Sequence, residues 1–495
     1  MKTRALFSPL RWLSAFFLLA ALILTILQLV SYSRVRANLP AGQTIAGVQV
    51  GGLDRQRAAE RLLEAYSVPI EILYNQAVIH LNPAVIDFQL DLDGMLAAAD
   101  IQRRLQPFWE GFWEYVWGLS STPADIPLRS SFSEQRLRAY LEEEVALRYD
   151  QPPVPASPVV GTVNFQPGKQ GTVLDIDGSV LLIENAMQSL NRRQVVLPLQ
   201  RTNPTRPAFQ NLDVLLSQTI ELADFDGLAD VYLLDLQNAQ ELHFALRQGE
   251  KLPVQPDIAY SASSIIKVPI MVSAFRRTNG NSDEETQRLM SEMITKSGNE
   301  TADWLMDRVI DPNRAPLNVT EDMNALGLEN TFLAGYFSLG SPLLASIETP
   351  ANQRSDINTD PDLYSQTTAS DIGMLLEDIY HCAQNGGGAL SAVFPGEISQ
   401  EECQTMISLL INNKLPSLLT AGVPEGTQIA HKHGWVSTNG IINAIGDAGI
   451  IYTPGGNYVL VVFLHHPDQL IWEPASKLIA DLSRAVYNYY NIPQQ

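Results

Sequence analysis

Residues 12–30 form a run of 19 residues without a charged side chain, WLSAFFLLAALILTILQLV. As a helix, this run is long enough to cross a hydrocarbon core of about 30 Å. A cleaved signal peptide is the alternative, but its apolar region is usually about 7 to 15 residues long and ends at a small-residue cleavage site. Arg34 and Arg36 follow the run here and do not fit such a site. The sequence therefore predicts one membrane-crossing helix near the N-terminus.

Basic residues flank this run, with Lys2, Arg4 and Arg11 before it and Arg34 and Arg36 soon after it. Because cytoplasmic flanks carry an excess of Lys and Arg, the balance favours a short cytoplasmic N-terminus. The expected location is the cell membrane, crossed once, with everything after about residue 37 outside the cytoplasm. Residues 1–36 are then a cytoplasmic stub and a transmembrane helix.

The chain has 495 residues, which is more than one domain holds, because hydrophobic cores stop growing near about 250–300 residues. Its formal net charge is −21. Nucleic-acid binding requires a basic footprint, and the sequence has no cluster of Lys and Arg, so no nucleic-acid partner is expected. Cys382 and Cys403 are the only cysteines and lack the spacing of a metal site. Neither a metal nor another cofactor is expected, and the sequence leaves open whether the two cysteines form a disulfide.

Residues 37–205 contain two stretches in which strand-like and helix-like patterns follow each other. In the first, a short alternating strand closed by glycines, residues 45–53, leads into a helix with apolar positions three and four residues apart. The second, residues 165–200, has a glycine-containing turn, a helix and a strand. The G-V-x-V-G-G-L turn and its amphipathic helix resemble the peptidoglycan-binding repeats that accompany vancomycin-resistance W-type domains. The resemblance implies a smaller α+β module that binds peptidoglycan; a spacer that holds the next domain off the membrane is the alternative, and both stay open.

An aromatic cluster lies inside this region and consists of Phe108, Trp109, Phe112, Trp113, Tyr115 and Trp117. A carbohydrate platform or a membrane contact would use such side chains. Spacing by three and four residues is more typical of one buried helix face. We therefore predict that this cluster packs in a core.

A proline-rich polar stretch, residues 203–207, marks the predicted boundary to the last domain, residues 206–495. In that domain, strand-like runs near the start and at the end enclose a long helical region. One sheet built from both ends would close the domain. The predicted fold class is α+β, with an antiparallel sheet flanked by helices, placed after the transmembrane helix and the smaller α+β module.

Ser264-Ile265-Ile266-Lys267 is an S-x-x-K tetrad where a strand or loop passes into an apolar helix. Side chains three residues apart share one helix face, so the Lys267 amine can approach the Ser264 hydroxyl. A serine hydroxyl needs a base to become a good nucleophile, and a lysine serves when its pKa is depressed. The tetrad alone is a weak signal, because short motifs of this kind are common.

Two further motifs follow in order along the chain. They are S-G-N at residues 297–299, in a polar turn before a helix, and K-H-G at residues 432–434, on a predicted strand. Together the three motifs resemble the signature set of class A β-lactamases and penicillin-binding proteins, over about residues 208–490. The resemblance implies a β-lactamase or D,D-peptidase fold and a serine hydrolase whose substrates are β-lactams or peptidoglycan-derived peptides.

The resemblance also implies a role for each matching residue. Ser264 is the acylated nucleophile, Lys267 is its general base or proton relay, and Ser297 passes a proton to the leaving nitrogen. Substrate binding falls to Asn299, Lys432, His433, Gly434 and Trp435. The Lys432 ammonium attracts the substrate carboxylate, and the backbone N–H groups of Ser264 and Trp435 form the oxyanion hole that acyl transfer requires.

Three features depart from the family pattern. Gly298 stands where the family usually has Asp, which puts the local rigidity in doubt. His433 replaces the usual Thr or Ser, so an imidazole must supply the hydrogen bond of a hydroxyl, with an altered specificity. The separation of 33 residues between Ser264 and Ser297 is short for a class A enzyme and predicts a trimmed helical region.

A glutamate activates the hydrolytic water in class A β-lactamases, and two positions compete for its place. Glu348 and Asn352 have the E-x-x-x-N spacing of that element. A gapless extension of the resemblance instead puts Tyr336 or Phe337 at the position of the glutamate. Without a carboxylate there, acylation proceeds while hydrolysis is slow.

The leading hypothesis is a membrane-anchored, extracytoplasmic serine hydrolase of the β-lactamase type, acylated at Ser264 and hydrolysing the amide bond. One alternative is a D,D-peptidase or penicillin-binding protein with slow deacylation. Another is a catalytically silent surface protein that binds the cell wall, which the altered S-G-N and K-H-G motifs suggest. The expected partners besides the substrate are the membrane, through the N-terminal helix, and the cell wall.

Overall fold

The structure is a computed structural model that describes residues 8–119, 123–278, 280–413, 415–438 and 440–492. The helices in these ranges are, in chain order, α1 Ser8–Ala37, α2 Arg55–Tyr66, α3 Leu92–Leu105, α4 Phe108–Trp117, α5 Glu134–Tyr140, α6 Leu147–Tyr149, α7 Ile176–Met187, α8 Phe209–Leu222, α9 Lys267–Thr278, α10 Glu284–Thr295, α11 Asn299–Leu305, α12 Ala315–Ala325, α13 Ala369–Asn385, α14 Ala389–Val393, α15 Gln400–Ile411 and α16 Trp472–Tyr490. Short 3-10 or π-helical turns occupy Pro83–Ile86, Leu141–Ala146, Ser263–Ile266, Met306–Ile310 and Leu418–Gly422.

The strands are, in chain order, β1 Thr44–Ile45, β2 Val48–Gln49, β3 Ile70–Tyr74, β4 Ala77–Leu81, β5 Gln89–Leu90, β6 Ser130–Ser131, β7 Ser157–Pro158, β8 Phe165–Gln166, β9 Gly171–Leu174, β10 Gln194–Val196, β11 Leu199–Thr202, β12 Leu228–Asp235, β13 Glu241–Arg247, β14 Glu250–Leu252, β15 Tyr260–Ser261, β16 Phe332–Leu333, β17 Ser365–Thr367, β18 Gln428–Thr438, β19 Ile441–Tyr452 and β20 Tyr458–His465.

The chain forms two compact units. The first comprises Met1–Pro153 and Gln170–Asn203, and the second comprises Val154–Lys169 and Pro204–Gln495. Both units mix helices with strands, and an apolar helix lies at the N-terminus, so the predicted α+β class is confirmed.

Residues 154–169 depart from the predicted division, which placed them in the N-terminal module of residues 37–205. Their strands β7 and β8 pair with each other. Phe165 packs edge-on against Tyr489 of α16, with ring centroids 5.8 Å apart. Burial of the Phe165 ring against Tyr489 attaches the segment to the second unit. No local sequence pattern predicts this contact.

In the first unit, α1 is long and apolar enough to cross a membrane, a property that a signal sequence shares. Beyond α1, β10 pairs in parallel with β3, and β3 pairs antiparallel with β4. The single strand expected at residues 45–53 is a pair of short strands, β1 and β2, because Ala46 and Gly47 both have positive φ and turn the chain between them. The amphipathic α2 follows, and the Asp54 carboxylate caps it by accepting from the Arg57 N–H at 2.8 Å.

The predicted core packing of the aromatic cluster on α4 is wrong for four of its six members, the three tryptophans and Tyr115, which are all exposed. Phe112 is buried, but Trp109, Trp113 and Trp117 are 62%, 53% and 72% exposed. Apolar spacing on a helix identifies a face, and it does not identify the medium that covers that face.

The second unit is built on an antiparallel sheet in the order β14-β13-β12-β20-β19-β18. Strands from the start of the unit, β12–β14, thus lie beside strands from its end, β18–β20, as the sequence predicted. The strand β12 is buried along its whole length, because its side chains alternate between two cores. Leu228, Tyr232 and Leu234 pack in the core shared with α9, α10, α13 and α15, and Val231 and Leu233 pack in the core shared with α8 and α16.

Cys382 of α13 and Cys403 of α15 form a disulfide, with their Cα atoms 5.8 Å apart. Both side chains are fully buried in the core beneath the sheet. The bond ties together two helices that already pack against each other.

Candidate active site

The turn that carries Ser264 joins β15 to α9. Residues 263–266 form a 3-10 turn, and Ser263 has a left-handed φ of 46°. The Ala262 N–H donates to the carbonyl of Ser365 on β17 at 3.1 Å, which fixes the turn from one side. Behind it, α9 is buried from Lys267 to Phe275, so the turn sits on a rigid apolar helix. Ser264 itself is half-buried and lines a cavity.

Three oxygens surround the Lys267 ammonium nitrogen. Nζ lies 2.9 Å from the Ser264 hydroxyl, 3.0 Å from the carbonyl of Ser297 and 2.7 Å from Oδ1 of Asn299. The predicted approach of Lys267 to Ser264 is therefore present, and the S-G-N turn supplies the other two contacts. A side chain with this many fixed partners holds its nitrogen beside the Ser264 hydroxyl.

Burial, and after it the nearby positive charge of Lys432, lower the pKa of Lys267 to about 7. The carboxylate of Asp303 acts against this and raises the pKa. Since water normally stabilises the ammonium form, a buried lysine beside a second cation loses its proton far more easily. Near neutral pH, a large share of Lys267 is the free amine, which can accept the proton of the Ser264 hydroxyl.

Ser297 and Lys432 form a second pair. Ser297 adopts a left-handed φ of 59°, and its hydroxyl accepts from Lys432 Nζ at 3.0 Å. Lys432 is fully buried on β18, and burial lowers its pKa to about 8, opposed by the negative charge of Asp447. At neutral pH this lysine keeps its charge in most molecules. A serine hydroxyl next to a buried cation is well placed to relay a proton.

His433 is buried beside Asn413. The amide Nδ2 of Asn413 lies 3.2 Å from Nδ1 of His433 and donates to the carbonyl of His431 at 3.0 Å. An amide nitrogen only donates, so Nδ1 of His433 accepts and the ring hydrogen sits on Nε2. Burial and the charge of Lys432 lower the pKa of His433 to about 4, which keeps the ring neutral. Its ring stacks on Trp435 with centroids 5.5 Å apart.

Gly434 is the point where β18 touches the turn that carries Ser264. A Cβ atom on Gly434 would lie 2.2 Å from the Ser263 hydroxyl and 2.9 Å from the backbone nitrogen of Ser264. Only a residue without a side chain allows this approach. The glycine of the third motif therefore sets the distance between the strand and the turn.

We expect Gly434→Ala to lower the acylation rate at Ser264 by at least about tenfold and to destabilise the fold by about 1–3 kcal/mol, because the methyl group overpacks the turn. Labelling kinetics and thermal unfolding measure the two effects. Gly426→Ala is the matched control. Gly426 has φ +88° and open space around it, so its methyl group strains only a remote turn, by about 1–2 kcal/mol. Equal acylation rates in the two variants would contradict the contact argument.

A loop at residues 336–341 borders the cavity at Ser264. Asp303 of α11 anchors it by accepting from the N–H groups of Phe337 and Ser338, both at 2.9 Å, and from the Ser338 hydroxyl at 2.6 Å. The Phe337 ring centroid lies 4.7 Å from Lys267 Nζ. An aromatic ring thus occupies the space next to Lys267.

Two cavities meet at Ser264, each of about 430 Å³. The loop of residues 336–341 lines one, and Ser297, His433 and Trp435 line the other. Glu348 is exposed and is not among the described residues that line either cavity.

Asn352, the partner of Glu348 in the E-x-x-x-N spacing, holds its own loop together. Its side chain donates to the carbonyl of Ile347 and to Oε1 of Gln366, both at 3.0 Å, and accepts from the Thr349 N–H at 2.9 Å. These bonds leave it no role toward a hydrolytic water. Among the described residues, no group of three His, Cys, Asp or Glu side chains converges as metal ligands.

The structure brings Ser264, Lys267, Ser297, Asn299 and Lys432 into one hydrogen-bonded group, with Gly434 in contact and His433 and Trp435 at the rim. Sequence reasoning missed Asp303 and Asn413, which position the loop and the imidazole. Asp303 follows the S-G-N turn by one helical turn, a spacing that a search for polar residues on the buried face of α11 would find. No spacing connects Asn413 to His433.

Residues 278–490 match the model of the Beta-lactamase enzyme family. The match begins after Ser264 and Lys267 and includes Ser297, Asn299 and Lys432. No curated protein matches the chain.

Several solved structures are similar to the second half of the chain. PBP-A is 21% identical and covers 58% of this chain and 99% of its own, with a TM-score of 0.41. A class A β-lactamase from Bacteroides cellulosilyticus is 18% identical over 58% of this chain and 100% of its own, with a TM-score of 0.41. A β-lactamase from Sphaerobacter thermophilus is 15% identical over 58% and 99%, with a TM-score of 0.41. The similarity to the Beta-lactamase enzyme family thus lies within the second unit, over residues 278–490.

Proposed function

We propose that the second unit is a serine acyl-transfer enzyme of the penicillin-binding type, acylated at Ser264 by β-lactams or by peptidoglycan-derived peptides. The observation that carries this proposal is the 2.9 Å contact between Lys267 Nζ and the Ser264 hydroxyl, in a site that lowers the lysine pKa to about 7. A nucleophile and a base in contact, with the base half-deprotonated at neutral pH, are what acylation needs.

In the acylation step, the neutral Lys267 amine takes the hydroxyl proton as Ser264 Oγ attacks the carbonyl carbon of the substrate amide. The negative charge on the carbonyl oxygen is stabilised by the backbone N–H groups of Ser264 and Trp435. The close approach at Gly434 supports this assignment, because it brings β18 against the backbone nitrogen of Ser264.

Collapse of the tetrahedral intermediate breaks the C–N bond and leaves the acyl group on Ser264. Ser297 delivers a proton to the leaving nitrogen, and Lys432 replaces it through the 3.0 Å hydrogen bond. The positive charge of Lys432 also attracts the substrate carboxylate. Asn299 and the Nε2–H of His433 complete the binding of the substrate, the imidazole taking the place of a hydroxyl.

Slow release of the acyl group is favoured over efficient β-lactam hydrolysis. The Phe337 ring centroid lies 4.7 Å from Lys267 Nζ. The ring occupies the space in which a general base for water would have to act, and Glu348 is exposed. An aromatic ring neither accepts a proton nor orders a water for attack. The proposed enzyme therefore accumulates the acyl-enzyme, as a penicillin-binding protein does, in preference to turning over as a β-lactamase.

The rate of acylation is expected to be bell-shaped in pH, with its maximum between about pH 7 and pH 8. Below pH 7, Lys267 is protonated and cannot accept the Ser264 proton, so the rate falls by up to about tenfold per pH unit. Above pH 8, Lys432 loses the charge that attracts the substrate, and the rate falls again. Stopped-flow acylation by a chromogenic cephalosporin from pH 5 to 10 measures the profile; a rate that keeps rising to pH 10 would exclude Lys267 as a base with a lowered pKa.

We further propose that α1 is retained as a single membrane span and holds the second unit outside the cytoplasm. The 26 residues from Trp12 to Ala37 have the length and hydropathy of a span, and Arg34 and Arg36 replace the small residues of a cleavage site. The first unit then acts as a wall-binding module or a spacer. An enzyme for peptidoglycan peptides would find its substrate in that location.

The proposal is tested by incubating membranes that contain the full chain with a fluorescent penicillin. We expect a covalently labelled band that withstands denaturation, that Ser264→Ala abolishes and that Ser476→Ala, a change of a half-buried serine on α16, retains. An unlabelled wild-type band would support a catalytically silent surface protein. A label that persists in Ser264→Ala would place the nucleophile elsewhere.

A further inference from the structure

An exposed row of tryptophans runs along α4. Trp109, Trp113 and Trp117 follow one another at intervals of four residues, which puts them on one side of the helix. They are 62%, 53% and 72% exposed. Three large aromatic side chains with this much surface in water are costly, so a soluble protein rarely keeps such a row uncovered.

Other aromatic residues of α4 fix the helix to the end of α1. Tyr32 of α1 lies 5.3 Å from Phe108, 5.8 Å from Phe112 and 5.5 Å from Tyr115 between ring centroids. Gly111 permits this contact, because a Cβ atom there would lie 2.2 Å from the Tyr32 hydroxyl. The joint is therefore a packed one, and it belongs to the first unit.

A cation reinforces the joint. The Arg36 guanidinium lies 5.0 Å from the Phe108 ring centroid, and its Nη2 donates to the carbonyl of Gln106 at 3.0 Å. Arg103 of α3 donates to the carbonyl of Ala37 at 2.8 Å. The last turn of α1 and the start of α4 are thus held together by stacking and by hydrogen bonds.

The position of this joint along α1 sets its depth in a membrane. The uncharged run of residues 12–30 is about 28 Å long as a helix, which matches the hydrocarbon core. Tyr32 and Arg36 follow the run directly, so they lie at the level of the lipid headgroups when α1 spans the bilayer. Since α4 packs on Tyr32, α4 lies at that level as well.

We propose that α4 is an interfacial helix whose row of Trp109, Trp113 and Trp117 inserts into the headgroup region of the bilayer that α1 crosses. Tryptophan combines a large apolar body with an N–H donor and is enriched at this boundary in membrane proteins. The row adds a second contact with the membrane to the first unit. This inference rests on the proposed membrane span and is independent of the chemistry at Ser264.

The test uses the full chain in phosphatidylcholine vesicles and measures quenching of tryptophan fluorescence by lipids brominated at different depths. The fluorescence of the row is obtained by subtracting the fluorescence of the triple variant Trp109→Phe, Trp113→Phe, Trp117→Phe from that of the wild type. Trp12→Phe gives the contribution of Trp12 in α1, which reports whether the span is inserted. Trp304→Phe gives the fluorescence of Trp304, a half-exposed tryptophan in the second unit. Trp304 is the control for a side chain that faces water, and its exposure is measured with iodide, a quencher that stays in the water.

We expect lipid brominated near the headgroups to reduce the fluorescence of the row at least about twofold more than lipid brominated near the chain ends. Trp304 should respond to iodide and not to lipid. If Trp12 is quenched by lipid while the row is quenched only by iodide, the interfacial helix is excluded and the span stands. If lipid quenches neither, both the span and the interfacial helix fail, while penicillin labelling still decides the chemistry. Loss of iodide quenching on adding peptidoglycan fragments would make the wall polymer the occupant and overturn the proposal.

The three single Trp→Phe variants guard against a misfolded triple variant. Each keeps two tryptophans of the row and should lose about a third of the lipid-quenchable signal that the triple variant loses. Circular dichroism shows whether each variant folds. Single variants that fold and leave the lipid-quenchable signal unchanged would also overturn the proposal.

Discussion

Lys267→Met is expected to slow acylation of Ser264 by penicillin about 10²–10⁴-fold, the usual contribution of a positioned general base. The replacement keeps the volume of the buried side chain and removes only the nitrogen that contacts Ser264, Ser297 and Asn299. The replacement relieves the desolvation of a buried amine, but it leaves the carbonyl of Ser297 and Oδ1 of Asn299 without this donor, at a cost of about 1–3 kcal/mol. The melting temperature should therefore fall by only a few degrees while the labelling rate falls.

The matched control is Lys477→Met, which removes an exposed lysine that pairs with Asp481 on α16. Its labelling rate should equal that of the wild type. A Lys267→Met enzyme that labels at the wild-type rate would show that another group deprotonates Ser264. A Lys267→Met protein that melts far below the wild type would instead assign Lys267 a structural role.

Phe337→Glu is expected to speed release of the acyl group by about 10²-fold or more and to convert a persistent adduct into β-lactam turnover. The Phe337 backbone N–H is held by Asp303, so the new carboxylate starts from a fixed position. The ring that it replaces lies 4.7 Å from Lys267 Nζ. Decay of the adduct after removal of free penicillin gives the rate constant for deacylation.

Leu339→Glu adds the same charge to the same loop at an exposed side chain and should leave deacylation slow. Glu348→Gln should also leave it unchanged, because Glu348 is exposed. A wild-type enzyme that already releases the acyl group within seconds, and loses this ability in Glu348→Gln, would restore Glu348 as the base and with it the β-lactamase function.

The hydrogen-bonded group around Ser264 was predictable from the sequence because most of its parts are local. Ser264 and Lys267 are three residues apart at a helix start, and Ser297 and Asn299 share one turn. Each short motif carries its own geometry, and the resemblance of the three motifs to the signature set of class A β-lactamases and penicillin-binding proteins predicted that they meet. Lys432 lies on β18 at the edge of the large sheet and reaches Ser297 across 135 residues of the chain.

The residues that support this group were not predictable, because their contacts join distant segments. Asp303 reaches a loop 34 residues away, and Asn413 meets His433 across 20 residues. The hydrogen bond from Asn413 decides which imidazole nitrogen carries the hydrogen, a property that the identity of His433 alone does not contain.

The row of tryptophans on α4 was misjudged for a different reason. Residues at intervals of three and four mark an apolar helix face whether that face meets a protein core or a lipid boundary. Only the exposure of Trp109, Trp113 and Trp117 separates the two cases. The missing information was the environment of the face, which depends on the neighbouring α1.

The central proposal is that Ser264 is acylated and that the acyl group is released slowly. Intact-protein mass spectrometry of the full chain after exposure to penicillin tests it most directly. The expected result is a mass increase equal to one whole β-lactam molecule, located at Ser264 by peptide mapping and still present after free penicillin has been removed. An unmodified mass, or an adduct on any other residue, would contradict the account of the site. An adduct at Ser264 that disappears as fast as it forms would contradict its slow release.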